Sequence, residues 1–464
     1  MSLADSAHGA APTSPSRVRT LMPRARWLMI WLCFLAIAVN YTDRANLAVA
    51  APTIKKALGI DNTTMGLLLG AFFWTYAIMQ LPMGWLVDRY GARLMFPIAV
   101  CWWSLFTALT ALANSAAALF GFRLALGMGE AGGYPASARV VARWFPVQER
   151  GFASSIFDSG SRVGNLVALP LCAWLIGSFG WRVSFVVTGA LGFVWTIAWL
   201  LIYRKPERHP DVSPEALREI EQQRKAQDAD PLDPDAPRQS WASLFRYRTI
   251  WGMMLGFFCL NFAIYFFITW FPTYLMTARH FSLKQFGTWG LIPGLISIPG
   301  GWLGGSLSDW LYRRGWSLTA ARKSCLVGGM LLSSVITLAA IVPAAWMALA
   351  LFGIAYAALA FTAASIWSLP GDVAPTRSHV ASIGGIQNFA SNLAGVVTTS
   401  FTGVMLTITH GSFLVPLATA GAVCLLGAGI YLFMVGRIEP LPPLPPSGRR
   451  HLAAADGSSK TGRR

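Results

Sequence analysis

Charge is what this chain has least of: Asp, Glu, Lys and Arg make up only 12% of its 464 residues. Soluble domains carry about 25%, so an ordinary water-soluble fold is excluded. Cysteines are few, and Cys33, Cys101, Cys172, Cys259, Cys325 and Cys424 all sit within or at the ends of apolar runs with no CxxC pair. That spacing argues against a disulfide framework and a thiolate metal centre. No histidine falls mid-run, and HExxH, GxSxG and P-loop patterns are missing. Their absence argues against a buried imidazole relay and against the commoner hydrolase and nucleotide-driven chemistries. The opening "MSLADSAHGAAPTSPSRVRT" lacks the short apolar core of a cleaved signal and reads as a tail.

Hydrophobic residues are plentiful, at 55%, with 20 Trp and 28 Phe. They gather in runs of about 20 residues, each long enough to cross roughly 30 Å of hydrocarbon. Twelve spans are expected, at roughly 27–50, 62–87, 95–114, 117–141, 151–174, 184–203, 249–276, 285–311, 323–342, 345–369, 380–405 and 411–435. The fold class is an all-α membrane protein. The polar stretch 204–248 divides the spans six and six. The expected organisation is a tail (1–26), a six-helix bundle (27–203), a central loop (204–248), a second bundle (249–436) and a Pro-rich, disordered tail (437–464). Within the loop, "SPEALREIEQQRKAQ" has a Ser cap and mixed charge, the pattern of a short surface helix.

The net charge of +17 is distributed unevenly. Of the 37 Lys and Arg, 29 lie on the side of the two tails and five on the other: Lys55, Lys56, Arg182, Arg279 and Lys284. The positive-inside rule therefore places both tails in the cytoplasm. The basic excess meets anionic lipid headgroups, and no nucleic-acid partner is implied.

The two halves repeat each other. Gly84 and Asp88 in "GWLVDRYGAR" match Gly305 and Asp309 in "GSLSDWLYRRG" at an offset of 221, as Asn40 matches Asn261. Spans five and eleven share Ser155-Ile156…Asn165-Leu166 and Ser382-Ile383…Asn392-Leu393. Two pseudo-symmetric six-helix bundles are the simplest account. In "GWLVDRYGAR", Gly84, Asp88, Arg89, Gly91 and Arg93 form a candidate gating loop, with Asp309 as counterpart. Glycine lets backbones approach, and the Asp can latch onto a basic side chain or helix end.

Six ionisable residues lie inside spans: Asp43, Arg44, Arg123, Glu130, Asp158 and Arg162. Each costs roughly 2.5–3.5 kcal/mol to place mid-membrane, so such residues partner one another or serve a function. Asp43 and Arg44 are adjacent and point about 100° apart. That directs Arg44 to a central cavity and Asp43 to the fourth span near Arg123. Arg123 and Glu130 share a face about 10.5 Å apart along the axis, so a third group can pair with each in turn. The competing reading is a set of static ion pairs that fix packing. Asp158 and Arg162 stand i,i+4, an intrahelical pair, unless Arg162 meets the second carboxylate of a diacid. Gln80 and Asn261 are further candidate pocket residues, since a polyhydroxy acid needs donors and acceptors.

"GWLVDRYGAR" resembles the loop signature of the major facilitator superfamily. Within it, "NYTDRANLAVA", "RLALGMGEAGGYPASARVVARWFPVQERG" and "YFFITWFPTYLMTAR" resemble the anion:cation symporter family, and more narrowly its bacterial glucarate, galactonate and hexuronate permeases. The resemblance implies a monomeric carrier in the bacterial inner membrane that imports an organic anion with protons and needs no cofactor. It implies Asp43 and Glu130 as proton carriers, Arg123 as switching partner and Arg44 on the substrate carboxylate. Tyr41, Tyr76, Trp367 and Asn388 become substrate contacts. At Ser161 the galactonate-type carriers have Gln, so hydroxyl recognition differs there. The alternatives are a carrier of aromatic or tartrate-like acids and a membrane receptor for such acids. A drug antiporter is disfavoured because the fifth span lacks a Gly-Pro-rich motif and two buried Arg residues repel cations.

Overall fold

A computed structural model describes residues 23–145, 147–210, 212, 218, 241–374 and 377–442. The surface helix expected around 213–227 falls almost wholly outside the described residues, as does most of the C-terminal tail. The twelve spans form. They are α1 Pro23–Leu58, α2 Asn62–Tyr90, α3 Ala92–Leu109, α4 Ala116–Glu130 continued by Gly133–Trp144, α5 Val147–Phe179 and α6 Trp181–Ile202. The second half has α7 Arg248–Thr269, α8 Leu283–Trp289 continued by Ile292–Arg313, α9 Leu318–Ser333, α10 Ala345–Ile366 continued by Leu369–Val373, α11 Arg377–Ile408 and α12 Leu414–Gly429. Ten of these qualify on length and apolarity as membrane-crossing helices, and the two that do not are α4 and α8.

The sequence reading treats each span as continuous, and four are not: α4, α8 and α10 are broken, and the seventh span, read as 249–276, ends α7 at Thr269 and restarts at Phe271–Thr273. Proline explains the breaks in α4, α8 and α10. Pro135, Pro293 and Pro370 each lack the N–H that would bond to the carbonyl four residues earlier, at Ala131, Trp289 and Ile366. The chain steps out of α-geometry at those points and restarts. α4 and α10 hold equivalent places in the two bundles, so this pair of breaks is itself part of the repeat.

Small residues set the helix crossings inside each bundle. A Cβ on Gly164 of α5 would fall 2.8 Å from the Ala38 Cα of α1, and one on Gly300 of α8 would fall 2.6 Å from the Ala357 carbonyl oxygen of α10. The glycines of "GGWLGGS" thus serve backbone contact, as expected for association within lipid.

One end of the molecule is sealed where α2 of the first bundle meets α11 of the second. The Thr63 amide and hydroxyl both donate to the Thr407 hydroxyl, at 3.0 and 2.8 Å. Phe73 of α2 meets Tyr265 of α7 edge-on across the seam, with centroids 4.4 Å apart, while within the second bundle Trp270 Nε1 donates to the Thr399 carbonyl at 3.2 Å. Gly66 has no room to spare, because a Cβ there would lie 2.6 Å from the Thr399 carbonyl oxygen and 3.0 Å from the Gly403 Cα. Gly66→Val should therefore hold this end ajar. A cysteine at Thr399, buried here, should become reactive to an impermeant thiol reagent from that side, in a background stripped of the six native cysteines. Equal labelling with Gly or Val at 66 would show that the seal does not depend on this contact.

At the opposite end the ion pairs tie each bundle to itself. Asp88 pairs with Arg139 of α4 at 3.1 Å, and Arg322 of α9 bridges Asp309 at 3.3 Å and Asp372 at 3.1 Å. Both loop aspartates thus pair with a basic side chain of their own bundle. Arg89 lies over the Trp85 and Tyr90 rings, while the Arg93 carbonyl accepts from Trp199 Nε1 at 3.2 Å. Gly91 is required by conformation: it caps α2 at φ +83°, a region L-residues rarely enter. Close approach does not explain Gly84, nor the paired Gly384 and Gly385 of "GGIQN", since a Cβ on any of them would meet nothing within 4 Å. Gly384 and Gly385 lie where the bundles stand apart.

Candidate functional site

Between the bundles lies a cavity of about 880 Å³. All nine candidate substrate contacts line it, Tyr41, Arg44, Tyr76, Gln80, Ser161, Arg162, Asn261, Trp367 and Asn388, and so does Asp158. They come from α1, α2, α5, α7, α10 and α11, so no single element makes the site. Trp367 stands at the α10 break, and Glu130 is the last residue before the α4 break. Interrupted helices at matching positions of two repeats are where secondary transporters build their sites, because the freed backbone and the shifted side chains face a cavity.

Arg44 forms the charged floor. Its Nε donates to Glu130 Oε2 at 2.6 Å, and both residues are buried. The guanidinium carbon sits 4.6 Å from the ring centroid of Tyr41, 4.6 Å from that of Phe72 and 4.5 Å from that of Tyr76. Three aromatic faces therefore hold the fork in place by cation–π attraction. Arg44 Nη2 and Glu130 Oε1 are buried and lack a hydrogen-bond partner. A planar fork with one edge engaged and one nitrogen unsatisfied can receive a second carboxylate.

The sequence reading kept Arg123 and Glu130 apart on one helix face and left Glu130 to an unnamed third group; that group is Arg44. Direct contact runs from Glu130 to Arg44 across α1 and α4. Seven residues of helix separate Arg123 from Glu130 by about 10.5 Å, whereas Arg44 approaches from a neighbouring helix. Arg123 is buried with an unpartnered Nε, 5.3 Å from the Phe72 ring centroid. It shares with Arg44, Phe72 and Tyr265 the wall of a second cavity of about 110 Å³. Asp43 turns away from both cavities, toward Arg123 of α4, Thr107 of α3 and Thr188 of α6. Neither of its oxygens meets hydrogen-bonding geometry.

Asp158 and Arg162 do form the intrahelical pair, at 3.5 Å, and the Tyr134 hydroxyl donates to Asp158 at 3.1 Å. Both members stay partly exposed to the cavity. Asn388 donates from Nδ2 to Gln80 Oε1 at 2.8 Å, one polar contact that spans the two bundles at cavity level. Asn261 spends its amide nitrogen on the Phe257 carbonyl at 2.9 Å, leaving its oxygen as the acceptor.

Sequence reasoning missed Phe72, Tyr134 and Tyr265. The first two carry no signal beyond the general wealth of aromatics. Tyr265 did carry one, since at the repeat offset of 221 it stands where the first half has Arg44, and both line the same cavity. The positions correspond, but the first bundle places a charge and the second a phenol.

Twelve helices in two repeated bundles around a charged cavity sealed at one end define a secondary transporter fold. The chain belongs to the Major Facilitator Superfamily, which it matches over residues 33–399. It is 37% identical over 431 residues to the "Probable galactarate/D-glucarate transporter GarP" of Escherichia coli K12, covering 89% of this chain and 95% of that one. The "Probable galactarate/D-glucarate transporter GudP" of Bacillus subtilis is 35% identical, with 89% and 92% covered. The "D-galactonate transporter" of Escherichia coli O6:H1 is 34% identical, with 90% and 97% covered. Among solved structures, the inward-open xylose transporter XylE of Escherichia coli superposes with a TM-score of 0.70 at 15% identity, covering 89% of this chain and 97% of that one. A bacterial homologue of the lysosomal transporter Spinster gives 0.69 at 21% identity, with 89% and 95% covered. These two share the fold. The protein is a multi-pass membrane transporter, not an enzyme.

Proposed function

We propose that this transporter imports a sugar acid, an aldarate, aldonate or hexuronate, by proton symport across the bacterial inner membrane, working as a monomer with both tails in the cytoplasm. The observation that carries the reading is the buried Arg44–Glu130 pair on the cavity floor. A substrate carboxylate arriving at Arg44 competes with Glu130 for the guanidinium. Glu130, buried and losing its counter-charge, then takes up a proton, because desolvation disfavours the anion once the compensating charge is shared. Anion binding and proton binding thereby become favourable together, which is the thermodynamic requirement for symport.

Above the floor, Tyr41, Tyr76, Gln80, Asn261 and Asn388 supply donors and acceptors for several hydroxyls, and Trp367 a flat apolar face. Arg162 is placed to meet the far carboxylate of a diacid if it leaves Asp158. With the tails in the cytoplasm, the sealed α2–α11 end faces out and the cavity is inward-facing. Transport then requires the bundles to rock and part at that seal.

The aromatic wall, with Phe257 and Trp367 at 5.4 Å and Phe267 stacked on Tyr356 at 4.6 Å, suits an aromatic acid as a second reading. Purified protein in liposomes loaded with a pH dye separates the two. Glucarate, galactarate, galactonate, gluconate and the hexuronates should acidify the lumen, and benzoate-type acids should not. A preference for the diacids would bring Arg162 into the site. Acidification by aromatic acids alone would leave proton symport standing and overturn the substrate.

A further inference from the structure

Among the described residues, Asp43 is the buried carboxylate of the membrane core that does not line the cavity, and its oxygens complete no hydrogen bond of normal geometry although donors stand near it. What lies behind it is a row of buried polar side chains. Ser184 Oγ donates to Asn46 Oδ1 at 2.8 Å, and Asn46 Nδ2 donates to Thr188 Oγ1 at 3.0 Å. Ser184, Asn46 and Thr188 are all 0% exposed. They join α1 to α6, and Ser184 lies in the first turn of α6, next to the loop at Gly180.

The donors all run one way. Asn46 occupies the Thr188 oxygen with an N–H, so the single Thr188 O–H remains free to donate, and Asp43, three residues before Asn46 on α1 and so on the same face toward α6, is the carboxylate on that side. Two hydrogen bonds thus orient a third donor. We infer that the Ser184–Asn46–Thr188 chain positions the Thr188 hydroxyl against Asp43 and sets, from the side away from the cavity, the pH at which Asp43 exchanges its proton.

The other groups facing Asp43 are Arg123 and Glu130 of α4, the Thr107 hydroxyl of α3 and the Cys172 thiol of α5. Glu130 is committed to Arg44 and the Thr107 oxygen is unpartnered. Arg123 is the partner that can move as the bundle rearranges, whereas the chain from Ser184 is fixed within α1 and α6. A donor that stabilises the ionised carboxylate favours proton release, so these three side chains are positioning residues for coupling. They would also hold α1 against α6 by hydrogen bonding alone, and the test has to separate the two roles.

The inference rests on proton symport, so the dye assay on the unaltered protein comes first: if substrate moves no protons there, symport and this inference fall together. With coupling present, uptake is measured against external pH for Thr188→Val, which keeps the shape and removes the hydroxyl, and for Thr188→Ser, which keeps the hydroxyl. Val should move the half-maximal point alkaline by about one pH unit, since Asp43 then holds its proton to higher pH. Ser should restore the original profile, and Ser184→Ala should shift it in the same direction by less. Substrate exchange in an Asp43→Asn protein should be indifferent to Thr188→Val, because nothing is left to tune. An unshifted Val profile overturns the inference. So do equal shifts for Val and Ser, or a Val effect that persists in Asp43→Asn, since either means packing alone.

Discussion

Glu130→Gln should abolish accumulation of the acid against its gradient while one-for-one exchange of internal for external substrate continues. The amide keeps the shape of the side chain and one acceptor for Arg44, but it cannot ionise. The link between guanidinium occupancy and proton uptake is therefore cut. The variant should also bind the acid more tightly than the parent at neutral pH, by about tenfold or more. The buried Arg44 charge has then lost its carboxylate, and leaving one member of a buried pair alone costs about 3–5 kcal/mol, part of which an arriving anion recovers. Isothermal titration on the purified protein reads the affinity, and proteoliposome uptake and exchange read the uncoupling. Asp43→Asn should uncouple likewise without the gain in affinity, because Asp43 lies outside the cavity. A Glu130→Gln protein that still concentrates substrate would place coupling elsewhere and reduce the pair to a packing element.

Arg44→Lys should lower transport by about 10- to 100-fold, the factor expected when one hydrogen bond to a charged group, worth roughly 1.5–3 kcal/mol, is lost from the bound state. Net charge is conserved, so a simple electrostatic receptor would tolerate the change. Two features of the site say otherwise. The guanidinium donates to Glu130 through Nε while keeping Nη2 unpaired, a division of labour that a fork supports and a point charge does not. Its guanidinium carbon also lies within 4.6 Å of the ring centroids of Tyr41, Phe72 and Tyr76, a cation–π setting that the more strongly hydrated ammonium reproduces poorly. The loss should be greatest with short monoacids that have no second carboxylate to hold them. Wild-type uptake in Arg44→Lys would remove Arg44 as the anion receptor.

Much of this was legible beforehand because membrane insertion leaves few options. A backbone in hydrocarbon must satisfy its own hydrogen bonds, so each apolar run becomes a helix, and the 221-residue offset between Gly84/Asp88 and Gly305/Asp309 then implies two copies of one bundle. The same economy flagged the site. Charges such as Arg44 and Glu130 are expensive in a span, so their presence alone marked them, and the cavity does gather the uncharged candidates Tyr41, Tyr76, Gln80, Asn261, Trp367 and Asn388 around Arg44.

Partnership was the part that sequence could not decide. Helical spacing relates residues on one helix, so it could say that Arg123 and Glu130 share a face and that Asp158 reaches Arg162. It could not say that Arg44 would cross from α1 to Glu130, because that depends on how α1 and α4 stand to each other in the bundle. Nor could it assign purposes to glycines. Gly66 and Gly300 serve close contact while Gly84, Gly384 and Gly385 border open space, and composition is identical in the two cases. The sequence by itself determined the twelve helices, their repeat and the set of side chains that had to be accounted for, since these follow from local cost in lipid. Which charges meet, which end is sealed and which carboxylate is left facing a row of hydroxyls were decided only by the tertiary structure, because interhelical distance is set by packing across the whole bundle.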